Sequence, residues 1–222
     1  KYENYMTKDQ LLNEIAISGY STSYGKDKCY STFDLANKTI TRVGLGLLVL
    51  SIFMLGYQSL NGFVALAIAG VVGGVLVMYM EKYNDSKYLT TASQLQDIER
   101  DLKQLFYDVK NTSPTQNISI YEQQWITLDN HQKNLAIEKQ IFGSDWYSHI
   151  KMFWTKKINT QWFTDELKLK FFFDKLPFTF FCSCLVIFIL ILLIFIGFFI
   201  SNYLIANGYA QTYLELFKGL CK

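Results

Sequence analysis

The chain of 222 residues is half hydrophobic, 17% aromatic and only 18% charged, a balance outside that of a soluble domain of this size. Its formal net charge of +2 offers no support for nucleic acid as the main partner. No Asp, Glu, Lys, Arg or His falls within residues 43–80 or 176–214, and Arg42 and Lys175 stand immediately before the two stretches. A charged side chain at the bilayer centre costs about 2.5–3.5 kcal/mol on insertion scales, so uncharged runs this long point to lipid.

The first 39 residues are polar at their start and carry no early apolar core, so no cleavable leader is expected and the first span serves as its own insertion signal. Thr7 and Gln10 have capping-box spacing and open a helix whose one face carries Leu11, Leu12, Ile15, Ala16, Tyr20 and Tyr24, with Gly19 and Gly25 as expected breaks. That face either rests on lipid headgroups or packs on cytosolic helices, and packing is favoured.

A bilayer core of about 30 Å needs about 20 apolar residues per helix. The first uncharged run therefore reads as a hairpin of two spans, residues 40–57 and 62–80, turning at Gln58, Ser59, Leu60 and Asn61. In the second span Gly70 and Gly74 form a GxxxG pair, and Ala65, Ala69 and Gly73 lie beside them, a small flank that permits close backbone approach. It serves either packing against Gly44, Gly46 and Gly56 of the first span or packing between subunits.

Residues 81–176 read as a cytosolic helical region. Leu95, Ile98, Leu102, Leu105, Phe106 and Val109 recur at three- and four-residue spacing between charged residues, the pattern of an amphipathic helix. Its stripe suits a neighbouring helix or an identical subunit equally. Asn111, Thr112, Ser113 and Pro114 break it, and Ile118, Tyr121, Trp125 and Leu128 mark a second helix. After Gly143 and Ser144 a third runs from Asp145 and carries Trp146, Ile150, Phe153, Trp154, Ile158 and Trp162; Leu167, Leu169 and Phe171 to Phe173 then approach the membrane. Lys156, Lys157, Lys168, Lys170 and Lys175 accompany these aromatics, which beside a span reads as an interfacial belt facing anionic lipid rather than a nucleic-acid surface.

Pro177 suits the first turn of a third span, residues 177–205. Basic residues set the orientation: Lys26, Lys28, Lys38 and Arg42 precede the first span, while Lys82, Lys87, Lys168, Lys170 and Lys175 flank the central region. The N-terminus and residues 81–176 are expected inside the cell, and the tail of residues 206–222 outside. The whole is an all-α integral membrane protein: a transmembrane hairpin, a cytosolic helical region and a third transmembrane helix.

No chemistry stands out. His131 and His149 are far apart and lack carboxylate or cysteine partners at ligand spacing, and neither GxGxxG nor GxxxxGK[ST] occurs, so no catalytic, cofactor or metal site is expected. Cys29 is expected in the cytosol, Cys182 and Cys184 in lipid and Cys221 outside, which leaves no aqueous disulfide pair. The spans hold no ionisable residue, which argues against a coupled transporter. A lipid-modifying enzyme finds no His, Asp or Ser constellation.

The layout of an amphipathic helix to about residue 39, hairpin spans to Met80 and then EKYNDSKYLTTASQLQDIERDLKQLFYDVKNTS at residues 81–113 resembles the bacterial SLATT superfamily of two-transmembrane effector domains. The later DELKLKFFFDKLPF at residues 165–178 is similar to the subgroup with a further C-terminal membrane segment, found beside reverse transcriptases or nucleotide cyclases. The resemblance rests on layout and carries over no individual residue role. It implies an anti-phage or conflict system in which a sensor, a nucleotidyltransferase or reverse transcriptase partner, triggers an inner-membrane homo-oligomer that permeabilises or depolarises the membrane and stops growth. Arg42, Glu81, Gln58 and Asn61 are then candidate pore-mouth residues by position. A non-conducting anchor that recruits a cytosolic partner is the alternative.

Overall fold

The computed structural model describes residues 6–57, 64–113, 117–137, 139–170 and 174–207. Seven α-helices account for most of them: α1 (Lys8–Gly56), α2 (Val64–Glu81), α3 (Ser86–Asn111), α4 (Ser119–Asn134), α5 (Ser144–Ile150), α6 (Lys157–Glu166) and α7 (Phe178–Ala206). The described residues include no strand.

Helix α1 begins at a capping box: Thr7 N–H donates to Gln10 Oε1 at 2.8 Å, and Gln10 N–H donates to Thr7 Oγ1 at 3.3 Å. It then runs unbroken for 49 residues, about 73 Å at 1.5 Å per residue. The breaks expected at Gly19 and Gly25 do not occur. A mid-helix glycine costs about 1 kcal/mol relative to alanine, and at Gly19 the missing side chain admits a partner instead. A Cβ on Gly19 would lie 2.2 Å from Cη2 of Trp162, and one on Gly25 would lie 3.6 Å from Leu95.

The first two-thirds of α1 is buried against protein on one side, from Leu11 to Ala36. Beyond Asn37 its side chains are exposed or half-buried, and Leu45, Leu48, Ile52, Phe53 and Leu55 are exposed apolar residues. Helix α2 returns alongside this second part, with Leu47 of α1 against Gly73 of α2. The expected turn, Gln58 to Asn61, lies outside the described residues.

Asp85 caps α3 by accepting the Lys87 N–H at 2.9 Å. Helix α3 then runs antiparallel along the buried part of α1. Its stripe of Leu95, Ile98, Leu102, Leu105, Phe106 and Val109 is buried, so a neighbouring helix of the same chain covers it, and the N-terminal helix packs on protein rather than on headgroups. Leu11, Leu12, Ile15 and Ala16 of α1 meet that stripe in one core, which Met152, Phe153, Trp162 and Phe163 complete. Each fully buried Leu, Ile or Phe contributes about 1.5–3 kcal/mol. Lys8 Nζ donates to the Lys110 and Thr112 carbonyls at 2.9 and 2.7 Å and so closes the end of α3. Ile118, just before α4, and Tyr121, Trp125 and Leu128 within it pack on the same core.

The single helix expected from Asp145 to Trp162 is instead three pieces. A π-helical turn, Lys151–Thr155, follows α5, closed by Lys156 N–H to the Lys151 carbonyl at 2.9 Å; Lys156 then leaves helical geometry and α6 starts. Across this wider turn Met152 and Phe153 lie in the core while Ile150, Trp154 and Ile158 are exposed, so the break changes the buried face between α5 and α6.

Residues from Leu176 onward form a separate compact unit. In it α7 carries apolar side chains around its whole circumference and none is buried. Together α1, α2 and α7 are long and apolar enough to cross a membrane. Contiguous apolar exposure on this scale far exceeds what a soluble monomer carries.

Gly19→Ala is expected to destabilise the bundle by about 1–3 kcal/mol, because the indole of Trp162 has no room to retreat within a packed core. Denaturant melts in detergent followed by tryptophan fluorescence would read this directly, since Trp125, Trp146, Trp154 and Trp162 are the only tryptophans.

Candidate functional site

The part of α1 that enters the bundle does not bury a purely apolar face. Ser18, Thr22, Ser23, Lys26, Asp27, Ser31 and Thr32 are all buried. Two four-residue series produce this: Ser18, Thr22 and Lys26 lie on one line of the helix, and Ser23, Asp27 and Ser31 on the next. The adjacent helices supply partners. Ser18 Oγ donates to Asp129 at 2.9 Å while accepting from the Trp125 indole N–H at 2.9 Å, and Thr22 Oγ1 donates to Gln132 at 2.7 Å, all on α4.

Charge pairs tie the same stretch to every other element of the bundle. Lys26 pairs with Glu99 of α3, both nearly enclosed. Asp27 accepts from Lys156 at 2.8 Å, between the π turn and α6, and Lys28 meets Asp145 of α5 at 2.7 Å. Lys151, in the π turn, reaches Asp34 at 2.6 Å. Nearest the hairpin, Lys38 contacts the Tyr147 hydroxyl at 3.3 Å and Asp34 at 3.6 Å. The side of α1 turned to α5 thus carries a run of ionic contacts from Asp27 to Lys38.

Not every group in this seam is satisfied. Ser23 Oγ, Asp27 Oδ2 and Ser31 Oγ are buried without a hydrogen-bond partner. A group of this kind costs about 1–3 kcal/mol when it stays without a partner.

Around Asp145 the titrating groups are displaced from their ordinary values. Burial pushes the Asp145 carboxyl up, but hydrogen bonds from Lys28 and Tyr24 outweigh it and hold the group below the usual range. Burial raises the Tyr24 hydroxyl, and its hydrogen bond to Asp145 raises it further. Burial beside the Tyr24 ring, whose centroid lies 5.1 Å away, lowers His149; its Nδ1–H donates to the Asp145 carbonyl at 2.8 Å. Burial also raises the Cys29 thiol, which keeps it a thiol rather than a nucleophilic thiolate.

In the membrane hairpin the five small residues singled out in the sequence divide. Gly73 faces α1: a Cβ there would sit 3.0 Å from Leu47 Cδ2. At Gly70 and Gly74 a Cβ would meet nothing within 4 Å, and Ala65 and Ala69 are exposed. Nor do the glycines of α1 form a matching surface, since Gly44, Gly46 and Gly56 also have open space at the Cβ position. Among the described glycines of the hairpin, only Gly73 receives a side chain of the other arm, Leu47. Arg42 and Glu81 are exposed, and Gln58 and Asn61 lie outside the described residues. Among the described residues, no three of His, Cys, Asp or Glu come together as a metal site would require.

The polar seam was not picked out from sequence. Its signal was present as Ser, Thr, Lys and Asp repeating every four residues, but those residue types at that spacing also describe a solvated face. Only the positions of α3, α4, α5 and α6 turn them inward.

An all-helical bundle that is continuous through α1 with an apolar hairpin defines a membrane protein with a substantial extramembrane domain. The chain belongs to the family described as SMODS and SLOG-associating 2TM effector domain 6, whose model matches residues 6–184. The two membrane helices in that description correspond to the α1–α2 hairpin, while most of α7 lies past the matched residues. No curated protein and no solved structure matches the chain.

Two outcomes follow from the seam. Glu99→Ala leaves the enclosed Lys26 with only Asp27, 4.0 Å away, to face it and should cost up to about 3–5 kcal/mol, whereas Lys26→Met combined with Glu99→Leu should be close to neutral; denaturant unfolding of the three proteins separates the cases. His149 has a folded pKa below its ordinary 6.5, so the unfolded chain takes up a proton first as pH falls. Its contribution is complete above 6.5 and is lost on acidification down to the depressed value. Melting temperature should therefore fall between pH 7.5 and about pH 5, and His149→Gln should flatten that slope.

Proposed function

We propose that the protein is a membrane effector of a bacterial anti-phage defence system, which oligomerises in the inner membrane on activation and permeabilises or depolarises it. The bundle and the N-terminus face the cytosol, where a sensor enzyme of the system delivers the trigger. The protein has no catalytic role; its output is a change in the membrane.

The observation that carries this reading is the continuity of α1. One helix supplies the central face of the bundle and one arm of the membrane hairpin. A change in how α3, α5 or α6 grips residues 18–38 therefore displaces the membrane arm without an intervening hinge. The seam suits such a role because ionic and hydroxyl contacts can exchange partners, whereas an interdigitated apolar interface has one low-energy arrangement. Family membership supplies the effector context, and the basic residues Lys26, Lys28, Lys38 and Arg42 before the first span support the orientation.

Gly70 and Gly74 serve assembly between subunits. Because a Cβ at either position meets nothing in its own chain, Gly70→Leu with Gly74→Leu leaves the fold of the single subunit intact. The doubly substituted protein should retain its melting temperature, lose its oligomer in detergent by cross-linking, and raise survival of induced cells by about tenfold or more. Wild-type induction should collapse the signal of a potential-sensitive dye. An unchanged potential, with intact recruitment of a cytosolic partner, would establish a non-conducting anchor instead.

A further inference from the structure

The turn between α4 and α5 carries a large aromatic side chain in the open. Ile141 is 2% exposed and fixed in the bundle, whereas the next residue, Phe142, is 81% exposed. Ser144 N–H donates to the Ile141 carbonyl at 3.1 Å, and Gly143 has φ 85° and ψ −8°, the values of the third residue of a type II turn. Glycine adopts that conformation freely, and the turn presents Phe142 at its tip. Its ring meets that of Trp146 edge-on, with centroids 5.9 Å apart. A lone exposed phenylalanine is ordinary on a protein surface; the height at which this one sits is not.

Two contacts fix that height against the membrane hairpin. On α2, the Tyr79 hydroxyl meets the backbone N–H of Phe142, and the Tyr79 ring packs edge-on with Tyr83 at 5.4 Å. Tyr79 is the last residue but one of the uncharged run, followed by Met80 and then Glu81. On α1, Lys38 contacts the Tyr147 hydroxyl at 3.3 Å. Lys38 precedes Val43, the first residue of the run, by five positions, about 7 Å of helix. The headgroup layer on one side of a bilayer is about 5–8 Å thick. Phe142, Trp146 and Tyr147 therefore stand at its depth, where the exposed apolar surface of α2, Val75 and Met78, ends.

We propose that the α4–α5 turn is a foot on the bilayer surface: Phe142 and Trp146 enter the headgroup layer and, with Tyr79 and Tyr83, make the aromatic belt on this side of the membrane. The occupant is lipid, because the patch continues the apolar surface of the hairpin and Tyr and Trp rings favour this depth, apolar at one end and hydrogen-bonding at the other. A second copy is the poorer cover, since a ring at this height meets lipid around each subunit before any copy arrives. Charge does not select the headgroup, because neighbouring cations are matched, Lys38 by Asp34 and Lys87 by Asp85. The belt expected around Trp154 lies too far from the hairpin. Trp154 falls between Lys151 and Lys156, whose partners Asp34 and Asp27 precede Val43 by nine and sixteen residues, about 13 and 24 Å of helix. Helix α5 also holds Lys28 through Asp145, so the bilayer surface steadies the side of the bundle that grips α1, whether or not the hairpin conducts.

The test uses the full chain in phosphatidylcholine vesicles containing a lipid with a nitroxide on its headgroup, which quenches tryptophan at that depth. Wild-type fluorescence should be quenched, Trp146→Phe should remove most of the effect, and Trp154→Phe should leave it in place. Phe142→Asp should reduce the quenching of Trp146 by roughly half or more, with an unchanged melting temperature in detergent because Phe142 is exposed. Phe142→Gln supplies the same comparison without an added charge. Replacing part of the phosphatidylcholine by phosphatidylglycerol should change nothing. Absence of quenching, quenching that resides in Trp154, or quenching indifferent to both substitutions of Phe142 would overturn the foot. Quenching that appears only as the protein is diluted in lipid would overturn it in favour of a second copy covering Phe142, and a requirement for phosphatidylglycerol would overturn it in favour of the lysines. No trigger is needed, so failure here leaves the depolarisation measurement untouched, and a failed depolarisation leaves the quenching result standing.

Discussion

A helix of 49 residues that meets protein along its first two-thirds and an apolar environment along the rest must satisfy two solvents without a joint between them. In the second environment every backbone group has to be bonded within the helix, and an unbroken α1 meets that demand. The same regularity makes its bundle half rigid. The other helices of the extramembrane domain are arranged around this rod, and its side chains appear in the core, in the ionic seam and in the hairpin.

The seam is costly by the usual measures of stability. It encloses Lys26, Asp27 and Glu99 and leaves Ser23, Asp27 and Ser31 with unmet hydrogen-bonding capacity, where aliphatic residues of similar volume would hold at least as firmly. Ionic contacts give a defined register along a smooth helix surface. Below the seam, toward Thr7, the packing is conventional: Leu11, Leu12 and Ile15 lie in a dry core with Leu102, Phe106 and Phe163. The domain thus packs through an apolar core at its far end and through ionic and hydroxyl contacts nearer the hairpin.

The π turn at Lys151–Thr155 belongs to the same design. It brings Lys151 to Asp34 and Lys156 to Asp27, five residues apart on one strand of the bundle and seven apart on α1. It also lets two successive apolar residues, Met152 and Phe153, enter the core.

The sequence by itself determined the membrane character of the chain, because uncharged runs are dictated by the cost of charge in lipid and need no partner to be recognised. It also determined the amphipathic stripe from Leu95 to Val109 and the capping box at Thr7, whose signals are local, and the layout that marks the SLATT superfamily. Tertiary structure alone decided the rest. Gly19 reads as a breaker until the Trp162 indole occupies the space it leaves, and Gly25 until α1 proves continuous beside Leu95. The small flank of α2 is uniform in sequence, yet only Gly73 receives Leu47, while Gly70 and Gly74 face away from their own chain. Lys26, Asp27 and Ser31 look like a solvated face until other helices cover them. In each case the residue's own preferences are compatible with two surroundings, and what settles the matter is which distant side chain arrives, information that no local window of sequence contains.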